Sequence, residues 1–162
     1  WGDTLFISQT TSSLDELEGC IDPCPLDGSA CTSITASSEF TAHRSILDLT
    51  GLDAILHGHP KFSVIMSMHC EREGCPQRGA CHTSCPEERF IGDIPIVPGE
   101  VGTGRFGLCT TLPPAIMGNR GARVYGHGLF TASKDDFNGA FRNLLAIERM
   151  CREAYFGLLE MD

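Results

Sequence analysis

The alternation of apolar and polar positions divides the 162 residues into short segments. "DTLFIS" at 3–8 predicts a strand. The polar "QTTSSLDELEG" that follows predicts a turn with a short helix. "CIDPCPLDGSAC" at 20–31 is broken by prolines and predicts a loop or an edge strand, since proline cannot donate to a ladder. "TASSEFTAHRSILDLTG" at 35–51 predicts a helix, with Ser37 or Ser38 as its cap and Gly51 at its end. "DAILHGHP" at 53–60 reads as a strand stopped by Pro60, and "KFSVIMSM" as a short apolar helix or turn. Residues 69–90 read as a cysteine-rich loop, "IGDIPIVP" at 91–98 as a strand, and 99–121 as a stretch of glycine and turn signals. "ARVYGHGLFTAS" at 122–133 reads as a strand. The last segment, 134–161, is the longest periodic one, with Phe137, Phe141, Leu144, Leu145, Ile147, Met150 and Cys151 on one broad face. Strands alternating with helices predict one mixed α/β domain over 1–162.

Composition narrows the partners. Hydrophobic residues at 41% and charged residues at 20% are those of a globular domain. A formal charge of −9 excludes nucleic acid and anionic membrane as main partners, because both require a basic footprint. A small anionic substrate needs only a local group of donors and stays allowed. No apolar run approaches the ~20 residues of a membrane span. The start at Trp1 carries no leader-like block, which predicts a cytoplasmic protein, or a processed chain cut from something longer. Nine cysteines in a reducing compartment suggest metal ligands or buried thiols.

Histidines carry the candidate chemistry. Residues two apart on a strand project to the same side, so His57 and His59 point together across Gly58. Two such imidazoles can reach one metal ion, and a catalytic site needs a third ligand and one open position. His127, flanked by Gly126 and Gly128, offers that ligand. The competing reading is that each imidazole is satisfied in a partly polar core. Glu39 stands at the start of the helix preceding the His-x-His strand, as a proton carrier or as a residue favoured in a first helical turn. Ser37 and Ser38 are either caps or donors to a phosphate. His43 reads as a surface or core-edge residue. The glycines of "GEVGTGRFG" read as a flexible loop rather than a nucleotide site, with Arg105 as a candidate contact for an anion.

The order "SSEF…HRSIL", "DAILHGHP", "VYGHGLF" and a long terminal helix resembles the class II aldolase/adducin family over roughly residues 3 to 158. The resemblance implies a three-layer α/β/α domain around a mainly antiparallel sheet. It implies that His57, His59 and His127 hold a divalent metal, usually zinc, with Glu39 as general acid/base. It assigns Ser37 and Ser38 to a substrate phosphate, with Thr10 and Thr11 of "SQTTSS" in a second phosphate-contacting turn. The implied activity is a metal-dependent lyase cleaving a carbon–carbon bond of a hydroxy-ketone or sugar-phosphate-like substrate through a metal-stabilised enediolate. A glutamate at 39 suits aldolase or dehydratase chemistry better than epimerisation. The family implies a homo-oligomer, usually a tetramer. Its usual N-terminal segment is not among the 162 residues, which predicts a fragment or a second chain supplying that part.

The insertion at 69–90 lies outside the resemblance. Cys70, Cys75, Cys81 and Cys85 span sixteen positions and predict structural zinc, an iron–sulfur cluster, disulfides or free thiols. A cluster there would make the chain a non-catalytic or redox partner domain on the same fold, the alternative to the lyase.

Overall fold

The computed structural model describes residues 2–27, 29, 34–70, 74–76, 79–81, 88–100 and 102–160. The chain divides into two compact units, Trp1–Arg44 and Ser45–Asp162.

In the first unit, β1 (Thr4–Ser8) pairs antiparallel with β2 (Ile21–Pro25), in a register that sets Leu5 opposite Cys24 and Ile7 opposite Asp22. The proline-broken segment is thus an edge strand of a two-stranded sheet. Ile7, Cys24 and Ala36 form the buried core here, with Leu5 and Phe40 packed against it. The segment before the first helix runs alongside the end of β1 through an antiparallel bridge between Gln9 and Ala36. The Thr10 amide donates to the Thr35 carbonyl at 2.9 Å, and the Ser37 amide to the Ser8 carbonyl at 2.9 Å. Residues 9–19 form turns and no helix, contrary to expectation. Thr11 (φ +65°) and Gly19 (φ +74°) bracket the stretch in left-handed conformations that a helix cannot contain.

Helix α1 (Phe40–Thr50) starts five residues later than its sequence segment. The Ser37 hydroxyl accepts from the Glu39 amide at 3.3 Å, in the turn that leads into the helix. The helix ends as expected at Gly51, whose φ of +65° and amide bond to the Leu47 carbonyl form a left-handed terminus.

The second unit is built on a five-stranded sheet in the order β3-β7-β6-β5-β4. The strands are β3 (Ala54–Gly58), β4 (Arg89–Ile91), β5 (Ile94–Val97), β6 (Gly121–Val124) and β7 (Gly128–Ser133). Only β5 and β6 run parallel, so the sheet is mainly antiparallel, as predicted. The parallel pair needs a crossover, and α3 (Leu108–Ile116) lies in it. That helix was not legible, because Pro113 and Pro114 inside it are helix breakers by rule. Two predicted single strands are hairpins instead. Residues 91–98 turn at Gly92 (φ +59°) between β4 and β5, and 122–133 turn between β6 and β7.

Helices α2 (Lys61–Met68) and α4 (Phe137–Leu159) cover the sheet. Met66, Ile94, Leu129, Ile147 and Cys151 form the core between them, with Phe62, Leu144 and Met150 packed around it. The apolar face of α4 is narrower than its sequence pattern suggested. Ile147 and Cys151 are buried, whereas Phe137, Phe141 and Leu145 are exposed. Arg123 of β6 is fully buried, and its Nη2 donates to the carbonyls of Ile91 (2.9 Å) and Ile94 (2.5 Å). Its Nη1 lies 3.2 Å from Cys151 Sγ, so one side chain ties the β4–β5 turn to α4.

Candidate metal centre

Strand register brings the three predicted imidazoles together. His57 stands near the end of β3 opposite Phe130, and Gly58 stands opposite Leu129 of β7. His59 follows, one residue before Pro60, the residue that precedes α2. Val124 and Gly128 close the β6–β7 hairpin, and His127 occupies its turn, with its amide bonded to the Val124 carbonyl at 3.0 Å. His127 therefore sits in a turn rather than at a strand end. Because β7 pairs with both β3 and β6, that turn lies beside the last residues of β3.

The ring centroids are 4.8 Å apart for His57 and His59, and 5.2 Å apart for each of them with His127. One ligand nitrogen from each ring lies within 4.8 Å of the others. His57 Nε2 and His127 Nε2 are 3.3 Å apart. Two nitrogens ~2.1 Å from one tetrahedral ion stand about 3.4 Å apart, so this pair already has the required separation. His57 Nδ1 lies 3.2 Å from the Leu129 carbonyl. That acceptor assigns the proton to Nδ1 and leaves the Nε2 lone pair facing the other rings, the usual support for a metal-ligating histidine. The ring stacks on Phe130 at 4.0 Å and 18°, which restricts its rotation. His57 and His127 are half-buried and His59 is exposed, so the group opens to solvent on one side. The donor set and geometry fit a divalent cation with three protein ligands and an open position.

Gly128 makes the approach possible. A β-carbon there would stand 2.6 Å from the Gly58 carbonyl oxygen, 2.7 Å from His59 Cδ2 and 2.8 Å from His57 Cε1. No side chain fits without moving backbone or imidazole rings.

The remaining predicted residues lie in the first unit. The antiparallel bridge at Gln9–Ala36 sets Thr10 beside Thr35 and Ser37 beside Ser8, so the two expected phosphate-contacting segments pair with each other while Thr10 and Thr11 run away from Ser38 and Glu39 along the register. Thr10, Thr11 and Ser38 are exposed, whereas Ser37 and Glu39 are half-buried. Glu39 also anchors α1, its carbonyl accepting from the His43 amide at 3.0 Å. The His43 ring keeps some accessible surface, yet burial pushes its pKa down to about 4, with the Glu39 charge opposing.

The cysteine expectation fares differently. Among the described residues, the three imidazoles are the sole group of three or more metal-ligating side chains within reach of one ion. Cys70, Cys75 and Cys81 are thiols rather than disulfides and form no such group, and Cys85 lies outside the described residues. The glycine-rich stretch is a bonded turn, with the Leu108 amide on the Glu100 carbonyl and the Cys109 amide on the Gly102 carbonyl. Arg105 lies over the Phe106 ring at 5.2 Å. Sequence reasoning missed the Leu129 carbonyl and the Phe130 ring, which carry no motif and belong to the site only through register.

The sequence matches the model of the family described as "Class II Aldolase and Adducin N-terminal domain" over residues 2–155. No curated protein matches it. Among solved structures, L-fuculose-1-phosphate aldolase from Thermus thermophilus superposes with a TM-score of 0.76 at 19% identity, covering 99% of this chain and 81% of that one. A second L-fuculose 1-phosphate aldolase gives 0.70 at 18% identity, with 99% and 73% covered. YgbL from Klebsiella pneumoniae gives 0.69 at 20% identity, with 95% and 73% covered. These similarities establish the fold. With the family model spanning nearly the whole chain, the protein belongs to the class II aldolase and adducin N-terminal domain family.

Proposed function

We propose that the protein is a metal-dependent lyase of the class II aldolase type, opening a carbon–carbon bond in a small hydroxy-ketone, sugar-phosphate-like substrate. The observation that carries this reading is the convergence of His57, His59 and His127, with two Nε2 atoms 3.3 Å apart and the third ring open to solvent. Three neutral imidazoles suit zinc. Bound there, the cation would supply Lewis-acid stabilisation of negative charge on the substrate's oxygens. In a retro-aldol cleavage the hydroxyl on the carbon that becomes the aldehyde loses its proton as the bond breaks, and the departing carbon gains one. Glu39 is the carboxylate we assign to that proton traffic. Thr10, Thr11, Ser37 and Ser38 are the donors we assign to the substrate's anionic group. The likeness to two L-fuculose-1-phosphate aldolases supports the sugar-phosphate class. The working form we propose is a cytoplasmic homo-oligomer, a tetramer in the manner of the family.

The test combines metal content with turnover. Protein purified without added metal should contain about one zinc per chain by elemental analysis, as a three-histidine site takes one ion. Cleavage of a panel of ketose 1-phosphates, read as aldehyde release, should stop with chelator and return with zinc. Glu39→Gln should keep the metal and lose ~10²–10⁴-fold in turnover. Full turnover in that variant removes Glu39 from the mechanism. Absence of any bound divalent metal removes the lyase reading itself.

A further inference from the structure

Both ends of α2 are tied to the arms of the histidine group. At its start, Pro60 is the cap residue and offers no side-chain bond, so the first amides of the helix need acceptors from elsewhere. Glu148 of α4 provides them. Its Oε1 accepts from the Phe62 amide at 2.8 Å, and its Oε2 accepts from both the Ser63 amide and the Ser63 hydroxyl, each at 2.8 Å. Ser63 is fully buried. A carboxylate bound through both oxygens at a helix N-terminus is a strong, direction-fixing contact. It clamps the turn that begins one residue after His59. At the other end, the fully buried Ser67 donates to the Val64 carbonyl at 2.7 Å and accepts from the Gly126 amide at 2.9 Å. Gly126, at φ +62°, directly precedes His127. Arg89 Nη2 holds the same end through the Ser67 carbonyl at 3.0 Å.

We propose that α2 is a brace setting the separation of His59 and His127, with Glu148 and Ser67 as the positioning residues at its two ends. The inference rests on the metal reading above. The helix is a rigid spacer between two ligand arms that otherwise belong to different strands. Loss of either clamp leaves the ligands in place and loosens their spacing, and cation affinity is sensitive to that spacing.

The experiment measures zinc affinity by chelator competition, and the cobalt(II) absorption spectrum, for folded wild type, Glu148→Ala, Glu148→Gln and Ser67→Ala. Histidine ring NMR shifts of the same proteins are recorded without metal. Glu148→Ala should weaken zinc by ~10–100-fold, with Glu148→Gln, which keeps one acceptor oxygen, losing less. Ser67→Ala should lose a few-fold, on the same scale of supporting-contact effects. The cobalt spectrum should change, and in the metal-free protein the His59 ring signals should move in the Glu148 variants. Asn143→Ala, which removes a different α4 contact to the Ala132 carbonyl, serves as the control and should lower stability without changing affinity. Wild-type affinity and unmoved His59 signals in folded Glu148→Gln overturn the brace. A wild-type protein that binds no zinc overturns the metal reading instead, and the His59 signals then judge the brace alone.

Discussion

His57 and His127 are 70 positions apart and bring ring nitrogens to 3.3 Å, whereas Cys70, Cys75 and Cys81 lie within one short stretch and form no ligand group among the described residues. Proximity in sequence is therefore a poor guide to a metal site. The histidines succeed because each leaves the chain from a point whose direction is fixed. His57 is held by the β3–β7 ladder, His127 by a closed hairpin turn, and His59 by the start of a clamped helix. Cys70, Cys75 and Cys81 lie between Met68, where α2 ends, and Arg89, where β4 begins, and among the described residues of that stretch no strand ladder aims them together.

Four perturbations break or sharpen this contrast. The largest effect belongs to His127→Ala. With one of three ligands gone, zinc affinity should fall by more than ~100-fold, and turnover with it, as read by calorimetry and the cleavage assay. Next is Gly128→Ala, which removes no ligand but drives a methyl group into the Gly58 carbonyl and both neighbouring imidazoles. It should cost about 1–3 kcal/mol of stability by denaturant titration and weaken zinc as well. A stable variant with normal affinity would show that the strand ends have slack the close contacts deny.

A smaller effect concerns His43, an imidazole outside the metal group. Its folded pKa of about 4 lies below the unfolded value of about 6.5, so the unfolded chain takes up the proton first. Stability from this residue is present above pH ~6.5 and is lost as pH falls toward 4. Between pH 7 and 5 the loss should be on the order of 1 kcal/mol, allowing for the ring's partial exposure and the opposing Glu39 charge. Metal-free wild type compared with His43→Asn by thermal melts isolates it: parallel pH profiles would refute the assignment. The smallest effect is expected of Cys70→Ser, Cys75→Ser and Cys81→Ser, each changing stability by less than ~0.5 kcal/mol and leaving metal content unchanged. A drop in bound metal in any of them would erase the contrast between the two regions.

Much of the site was legible locally. His-Gly-His at the end of an apolar run, the glycines around His127, and the existence of α1 with its end at Gly51 all follow from period and turn chemistry. Short elements were misread where local rules compete. Pro113 and Pro114 concealed α3, and apolar residues running through Gly92 and through the Tyr125–His127 turn merged hairpins into single strands. Glu148 was invisible, since a glutamate on an amphipathic helix ordinarily faces water.

By itself, the sequence determined which residues can ligate, cap and carry protons, because those properties belong to side chains and to their immediate neighbours. Only the tertiary structure decided which of them meet. The register that sets Gly58 opposite Leu129, the approach of the His127 ring to that of His57, and the clamp from Glu148 onto α2 are contacts between residues 71, 70 and 85–86 positions apart. Such contacts depend on how strands pair and helices pack, and the periodicity of one segment carries no record of the partner it will find.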